Sequence, residues 1–93
     1  MDLRFSWDPR KAAANARKHG VTFEEAATAF ADPRSLTIPD PAHSTSEERF
    51  LLLGMSTRPR LLVVVHIERH EKEIRIVSAR PASRAEHRTY QDV

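Results

Sequence analysis

The segment from Arg60 to Arg80, RLLVVVHIERHEKEIRIVSAR, constrains the fold more than any other part of the chain. Residues 61–67 form an apolar run that is rich in valine and is broken only by His66. The run is too short for a typical helix and follows a proline, so it predicts a central β-strand that is covered on both faces for much of its length. After a charged turn, residues 73–80 alternate in polarity, which predicts a second strand paired with the first.

Strict alternation divides the side chains of this second strand between the two faces of the sheet. One face would carry Ile74, Ile76, Ser78 and Arg80, and the other would carry Arg75, Val77 and Ala79. An arginine in mid-strand between isoleucines indicates a face that is open to solvent or that binds an anion. Arg80 could join Arg75 only if the strand twisted, bulged or ended before it.

Three helices are predicted from the residues that favour helix ends. Asp8 and Pro9 suit the N-cap and first turn, and Gly20 can adopt the left-handed conformation after a helix, so the first helix covers Pro9–His19. The capping boxes T-x-x-E at residues 22–25 and S-x-x-E at residues 83–86 open a second helix and a short terminal helix.

Further strands are predicted at residues 3–7, 35–38 and 47–55. In the first of these, Leu3, Phe5 and Trp7 point one way, and Phe5 and Trp7 are expected to belong to the core. Consecutive strands with short turns favour a small antiparallel sheet. The two N-terminal helices and the short C-terminal helix would cover one face of this sheet. The chain is therefore expected to be a single α+β domain over residues 1–93, with its other face partly open.

Composition excludes several classes of protein. Without cysteine there is no disulfide or thiolate metal site, and the longest apolar run is far shorter than the ~20 residues that span a bilayer. The first ten residues lack the apolar run of a secretory signal, so we expect a cytoplasmic protein without membrane contact.

The net charge is only +2, but the charges are unevenly distributed. Residues 1–20 and 49–93 are rich in basic side chains, whereas most charged side chains of residues 21–48 are acidic. This distribution suits a polyanion such as nucleic acid on one side of the molecule, although ordinary solvated charge would produce the same pattern.

The pattern F-x-W-D-P-x-K-A-x-x-N-x-x-K-H-G-V-x-F-x-E-A, which runs here from Phe5 to Ala26, resembles the BrnT-type toxins of bacterial type II toxin–antitoxin pairs. Residues 48–50, residues 76–83, Glu86 and Tyr90 carry the same resemblance, so it covers nearly the whole chain. At two positions the chain departs from the family pattern without losing a candidate catalytic group: Ser6 stands where an acidic residue is frequent and Pro81 where a basic one is frequent.

The resemblance implies a RelE-like ribonuclease fold and metal-independent cleavage of RNA without a cofactor. It also implies inhibition by a ribbon-helix-helix antitoxin that is encoded beside the toxin. The resulting hetero-oligomer would bind its own operator DNA through the antitoxin.

RNA cleavage by attack of the 2′-OH on the adjacent phosphate needs a base, cations at the phosphoryl oxygens and an acid for the leaving oxygen. Arginine suits the phosphate role because its fork donates two hydrogen bonds at once. Arg75 is the first candidate for this role, followed by Arg49 and Arg80. Each of these arginines could equally make an ordinary surface ion pair.

The candidates for acid–base work are Lys18, His19 and Glu48. Histidine titrates near neutral pH, whereas Lys18 could act only if neighbouring arginines favoured its neutral form. The competing interpretations are a helix-end cap for His19 and a surface ion pair for Glu48.

Lys11, Asn15 and Tyr90 are candidates for substrate binding, with Tyr90 stacking on a base. A solvated polar stripe on the first helix and packing of the terminal helix explain the same residues. His66 and His70 straddle a strand end, so their spacing does not indicate a metal site, and His66 is expected to be a core histidine. The alternative function is a non-catalytic module that binds nucleic acid or a partner.

Overall fold

The computed structural model describes residues 3–70 and 72–92. Met1, Asp2, Glu71 and Val93 lie outside the described residues, and so does the side chain of His43. The ends of the predicted domain and one residue of the predicted charged turn therefore fall outside the description.

Five strands and three α-helices form the described part of the chain. The strands are β1 (Arg4–Ser6), β2 (Leu36–Pro39), β3 (Phe50–Met55), β4 (Leu61–Arg69) and β5 (Glu73–Pro81). The helices are α1 (Pro9–His19), α2 (Phe23–Thr28) and α3 (Arg84–Gln91), and α2 continues into a 3₁₀ turn at Ala29–Ala31. A second 3₁₀ turn spans Pro41–His43. The α+β class and the helix positions predicted from the sequence are confirmed.

The strands form one sheet in the order β1-β5-β4-β3-β2, so the predicted central strand, β4, is in the middle. The prediction of a purely antiparallel sheet is wrong at one edge, because β1 pairs with β5 in parallel. The short-turn argument applies only to strands that follow one another along the chain. Two helices and three strands separate β1 from β5 along the chain. The sequence argument therefore did not determine whether these two strands run parallel or antiparallel.

One face of the sheet packs against α1, α2 and the turn that follows α2. The buried core on this face consists of Val21, Phe23, Ala26, Ala29, Leu52, Leu62, Val64, Ile74, Ile76 and Ala79. Phe5 and Trp7 pack against this core, as the sequence predicts, and Leu3 does so as well. His66 is fully buried with its ring between those of Phe30 and Phe50, which confirms it as a core histidine.

The third helix departs from the prediction that all helices cover one face. Glu86 and Thr89 of α3 line a groove together with Leu51, Leu53 and Val63, whose side chains lie on the opposite face from the core. The hydroxyl of Tyr90 anchors the helix by donating to the Asp32 carboxylate at 2.6 Å. The remaining part of this face, called here the open face, is not covered by a helix in the described residues.

A β-bulge in β5 changes the predicted distribution of side chains between the faces. Val65 pairs with Ser78 and His66 pairs with Ile76, so Val77 is an extra residue without a partner in β4. The extra residue shifts the alternation by one position. Ala79 therefore packs into the core, while Ser78 and Arg80 lie on the open face with Arg75.

Asn15 connects α1 to the edge of β5 beyond the end of β1. Its Nδ2 donates to the carbonyls of Val21 and Ala79 at 2.9 Å each, and its Oδ1 accepts from the Ala79 N–H at 3.0 Å. Since β1 pairs only with residues 73–75, the side-chain amide takes the place of a strand partner at Ala79. This residue is buried, unlike the exposed Lys11 and Lys18 on the same helix.

Glu25 joins the turn between the first two helices to the start of β4. Thr22 caps α2 as predicted. The Glu25 carboxylate accepts from Nε and Nη2 of Arg60 at 2.7 Å each and from the Ser56 hydroxyl at 2.8 Å. Hydrogen bonds from Arg60 are the largest cause of the lowered pKa of Glu25. Arg60 also donates to the carbonyl of Gly20, which has the predicted left-handed φ of 68°.

We expect Asn15→Ala to lower the free energy of unfolding by roughly 2–4 kcal/mol, because it leaves the Val21 carbonyl and both backbone groups of Ala79 buried without partners. Urea denaturation followed by circular dichroism measures the change. Arg17→Ala, at an exposed position of the same helix, is the control and should cost no more than about 0.5 kcal/mol. Equal losses in the two variants would contradict the role of Asn15 at the sheet edge.

Candidate functional site

A cleft of about 280 Å³ opens where the end of α1 meets the open face of the sheet. Its polar lining comes from the C-terminus of α1, the segments that flank β2 and β3, and β5: His19, Asp40, Arg49, Ser78 and Arg80. Its remaining wall is aliphatic and consists of Leu51, Val63, Val65 and Val77. Residues that are distant in sequence thus meet in one concave site.

A shallower depression of about 220 Å³ adjoins this cleft along α1. His19, Val77 and Ser78 line both, so the two form a continuous surface. The depression adds the exposed side chains of Lys11 and Lys18. Positive charge therefore extends from the cleft along one side of the first helix, which suits an elongated polyanion.

Arg49 carries the clearest indication of a ligand. Its Nε is buried and has no hydrogen-bond partner among the residues that the structure describes. A buried unpaired donor costs free energy, and a charged donor is best satisfied by an anion. Since Arg49 lines the cleft, a phosphate or carboxylate group bound there would supply the missing acceptor.

Arg80 reaches the same cleft but is already paired. Its two terminal nitrogens each donate to an oxygen of Glu86 at 2.8 Å. Hydrogen bonds from Arg80, opposed by burial, lower the pKa of Glu86 to about 2. Glu86 also accepts from the Ser83 N–H at 2.7 Å and completes the predicted capping box of α3. The guanidinium is thus held in one orientation before any ligand arrives.

Arg75, the first sequence candidate, lies on the open face but does not line the cleft. It pairs with Ser6 of β1 on one side and Ile67 of β4 on the other. Continuing the β3–β4 register by one position places Arg49 beside Ile67 as well. Two strand spacings, or about 10 Å, therefore separate the backbones of Arg49 and Arg75. The side chain of Arg75 makes no hydrogen bond or ion pair with another described residue.

The other sequence candidates lie elsewhere or serve the fold. Glu48 is exposed in the loop before β3 and does not line the cleft. Asn15 touches the depression, but its amide groups are bonded to the backbone. Tyr90 is buried, its hydroxyl is bonded to Asp32, and its pKa is raised chiefly by that bond. The guanidinium of Arg34 lies 5.1 Å from the centre of the Tyr90 ring.

Two polar residues of the cleft, Asp40 and Ser78, were not selected from the sequence. Ser78 reaches the open face only through the bulge at Val77. Asp40 is 7% exposed and lies in a segment that composition identifies only as a loop. Its backbone N–H donates to the Arg49 carbonyl at 2.8 Å, which extends the β2–β3 pairing and fixes the backbone of Arg49.

The described residues contain neither a metal-binding cluster nor a membrane-spanning helix. In residues 3–70 and 72–92, no group of three His, Cys, Asp or Glu side chains is arranged to hold a metal ion. In the same part of the chain, no helix has both the length and the apolar character to cross a membrane.

A family model described as the ribonuclease toxin BrnT of type II toxin–antitoxin systems matches residues 7–86. The chain belongs to this family. The BrnT family consists of ribonuclease toxins that act with an antitoxin, so the chain has RNA as its target class and an antitoxin as its partner. No curated protein sequence matches the chain.

The fold is similar to that of the Brucella abortus ribonuclease toxin BrnT, known from a crystal structure. The TM-score is 0.68 at 20% sequence identity, and the match covers 88% of this chain and 99% of that chain. At this identity the likeness shows a common fold.

The pairing of Arg80 with Glu86 predicts a pH dependence of stability. The pKa of Glu86 is lowered from 4.5 to about 2 in the folded protein, so the unfolded chain binds this proton more readily. The stabilisation is therefore fully present above about pH 4.5 and is lost as the pH falls toward 2. We expect Glu86→Gln to be less stable than the wild type at pH 7, with the difference shrinking across that range.

Urea denaturation of both proteins between pH 7 and pH 2 measures this difference. Acid also protonates Glu25 and Asp32, whose pKa values are lowered as well, but this loss occurs in both proteins and cancels. Glu24→Gln, at an exposed position of α2, is the control, and its difference from the wild type should stay within about 0.5 kcal/mol. A Glu86→Gln difference that did not shrink at low pH would contradict the charged pair.

Proposed function

We propose that this BrnT-family toxin is an endoribonuclease whose active site is the cleft between α1 and the open face. The observation that carries the proposal is the buried, unpartnered Nε of Arg49 beside His19 and Arg80. A phosphodiester placed there would satisfy the donor of Arg49 and contact cations from separate elements. Cations that converge on one phosphate are what stabilisation of its transition state requires.

The reaction we propose is attack of the ribose 2′-OH on the adjacent phosphorus. A bond forms between the 2′ oxygen and phosphorus, and the bond from phosphorus to the 5′ oxygen of the next nucleotide breaks. One group takes the 2′ proton and another delivers a proton to the leaving 5′ oxygen. The charge that grows on the phosphoryl oxygens is stabilised by Arg49 and Arg80. This route requires no metal ion.

His19 is the proposed acid–base group, because it lines the cleft and histidine exchanges protons near neutral pH. Lys18 is the second candidate, since it lines the adjoining depression next to His19. Glu48 is a weaker candidate because its side chain is exposed outside the cleft. Lys11 would bind a flanking phosphate of the RNA along α1, so we retain it as a substrate-binding residue.

Arg75 is assigned a supporting role in this proposal. It lies on the same face as Arg49, about two strand spacings away, and is free to bind a second phosphate of the same RNA. Such a contact would position the strand without touching the reacting phosphate. Asn15 and Tyr90 are omitted from the proposed substrate contacts, since their polar atoms are bonded within the protein.

The remaining properties implied by the family resemblance stay predictions. They are a RelE-like relationship of the fold, a ribbon-helix-helix antitoxin, a hetero-oligomer that binds operator DNA through the antitoxin, and action in the cytoplasm. Apart from the RelE-like relationship, each concerns a molecule or a setting beyond this chain. The chemistry of the cleft can be tested without them.

We expect the purified protein to cleave RNA in the presence of EDTA, and Arg49→Ala and His19→Ala to lose about a hundredfold or more in kcat. Arg69→Ala is the control, because Arg69 does not line the cleft and instead forms an ion pair with Glu47 at 3.1 Å. Melting temperatures of all variants exclude unfolding as the cause of lost activity. Cleavage that stops in EDTA would overturn the metal-free route. RNA binding without cleavage would favour a non-catalytic binding module.

Arg75→Ala should behave differently from the cleft variants. We expect it to raise KM by up to about tenfold and to leave kcat nearly unchanged, because a distant phosphate contact contributes to binding alone. Initial rates over a range of RNA concentrations separate the two constants. A loss in kcat equal to that of Arg49→Ala would contradict this role and would indicate that Arg75 contacts the reacting phosphate.

A further inference from the structure

A second concave surface lies where the open face meets α3, and it is apolar. A groove of about 210 Å³ lies between β2, β3 and α3, and its aliphatic lining consists of Leu36, Ile38, Leu51, Leu53 and Val63. Ile38 is 56% exposed and is the large hydrophobic side chain that the described residues leave most open to solvent. Exposed apolar surface of this kind commonly marks a site of interaction.

RNA does not account for this groove. Its lining is almost entirely aliphatic, so it offers neither aromatic rings for stacking nor a row of cations for phosphates. An apolar protein segment fits it better, since aliphatic side chains buried there would be removed from water. The occupant is therefore expected to be polypeptide.

The groove is continuous with the cationic cleft. Leu51 and Val63 line both, so one occupant can reach from the groove into the cleft. At the cleft it would meet the unpartnered Nε of Arg49, which requires an acceptor and favours a carboxylate. The complementary segment is thus amphipathic, with aliphatic side chains for the groove and acidic side chains for the cleft.

We propose that this groove is the docking site of the antitoxin, through an amphipathic acidic segment of that protein. The inference rests on the proposed function, because the family pairs each toxin with an antitoxin and the segment would end in the proposed active site. A segment that covers Leu51 and Val63 also covers the wall of the cleft. Antitoxin and RNA therefore compete for the toxin.

The test compares Ile38→Lys with Thr37→Lys. Both residues are exposed on edge strand β2, but they lie on opposite faces of the sheet, so the same charge is added on and off the groove. Titration calorimetry with the purified cognate antitoxin should give a Kd at least about tenfold higher for Ile38→Lys, and a change within about twofold for Thr37→Lys. RNA cleavage by both variants should match the wild type.

Three results would overturn the proposal. One is equal antitoxin affinity for the two variants, which places the antitoxin elsewhere. Another is antitoxin that leaves RNA cleavage undiminished when it saturates the wild-type toxin. The third is an effect of Ile38→Lys confined to self-association of the toxin in sedimentation velocity, which assigns the groove to a second copy of this chain. Absence of RNA cleavage by the wild type would instead contradict the proposed function, and the calorimetry would still locate the antitoxin.

Discussion

The extra residue at Val77 is the constraint on which the cleft depends. A regular β5 would direct Ala79 toward the open face and turn Ser78 and Arg80 toward the helices. The bulge reverses this arrangement over the last part of the strand, so the small side chain of Ala79 enters the core and Arg80 joins Arg75. Asn15 then bonds to the backbone of Ala79 and holds α1, with His19 at its end, against this part of the strand.

Carboxylates decide which arginines remain available to a ligand. Arg60 is bound by Glu25, Arg69 by Glu47 and Arg80 by Glu86. Arg49 and Arg75 have no such partner among the described residues, and both lie on the open face. The contrast separates cations that stabilise the fold from cations that can bind an anion. Arg80 belongs to both groups, since its partner Glu86 orients it at the rim of the cleft.

Much of the fold could be predicted because its signals are local. Asp8, Gly20, Thr22 and Ser83 mark helix ends through hydrogen bonds and backbone angles within one turn, and the structure has helices at these positions. The central strand follows from a valine-rich run of suitable length. The parallel pairing of β1 and the position of α3 did not follow, because they depend on how distant segments pack. Asn15 was selected as a substrate-binding residue for the same reason. Only the unpaired edge of β5 explains why this polar residue of α1 is buried.

The order and approximate limits of the elements, the family, and the basic residues from which a phosphate site could be built all follow from the amino-acid sequence. Those properties depend on side chains close together in the chain or on a shared pattern. The folded arrangement selects which of these basic residues share the cleft, because their positions depend on the bulge, the strand order and the carboxylates brought within hydrogen-bonding distance. It also created the apolar groove, since β2, β3 and α3 present aliphatic side chains to one another only after the chain has folded.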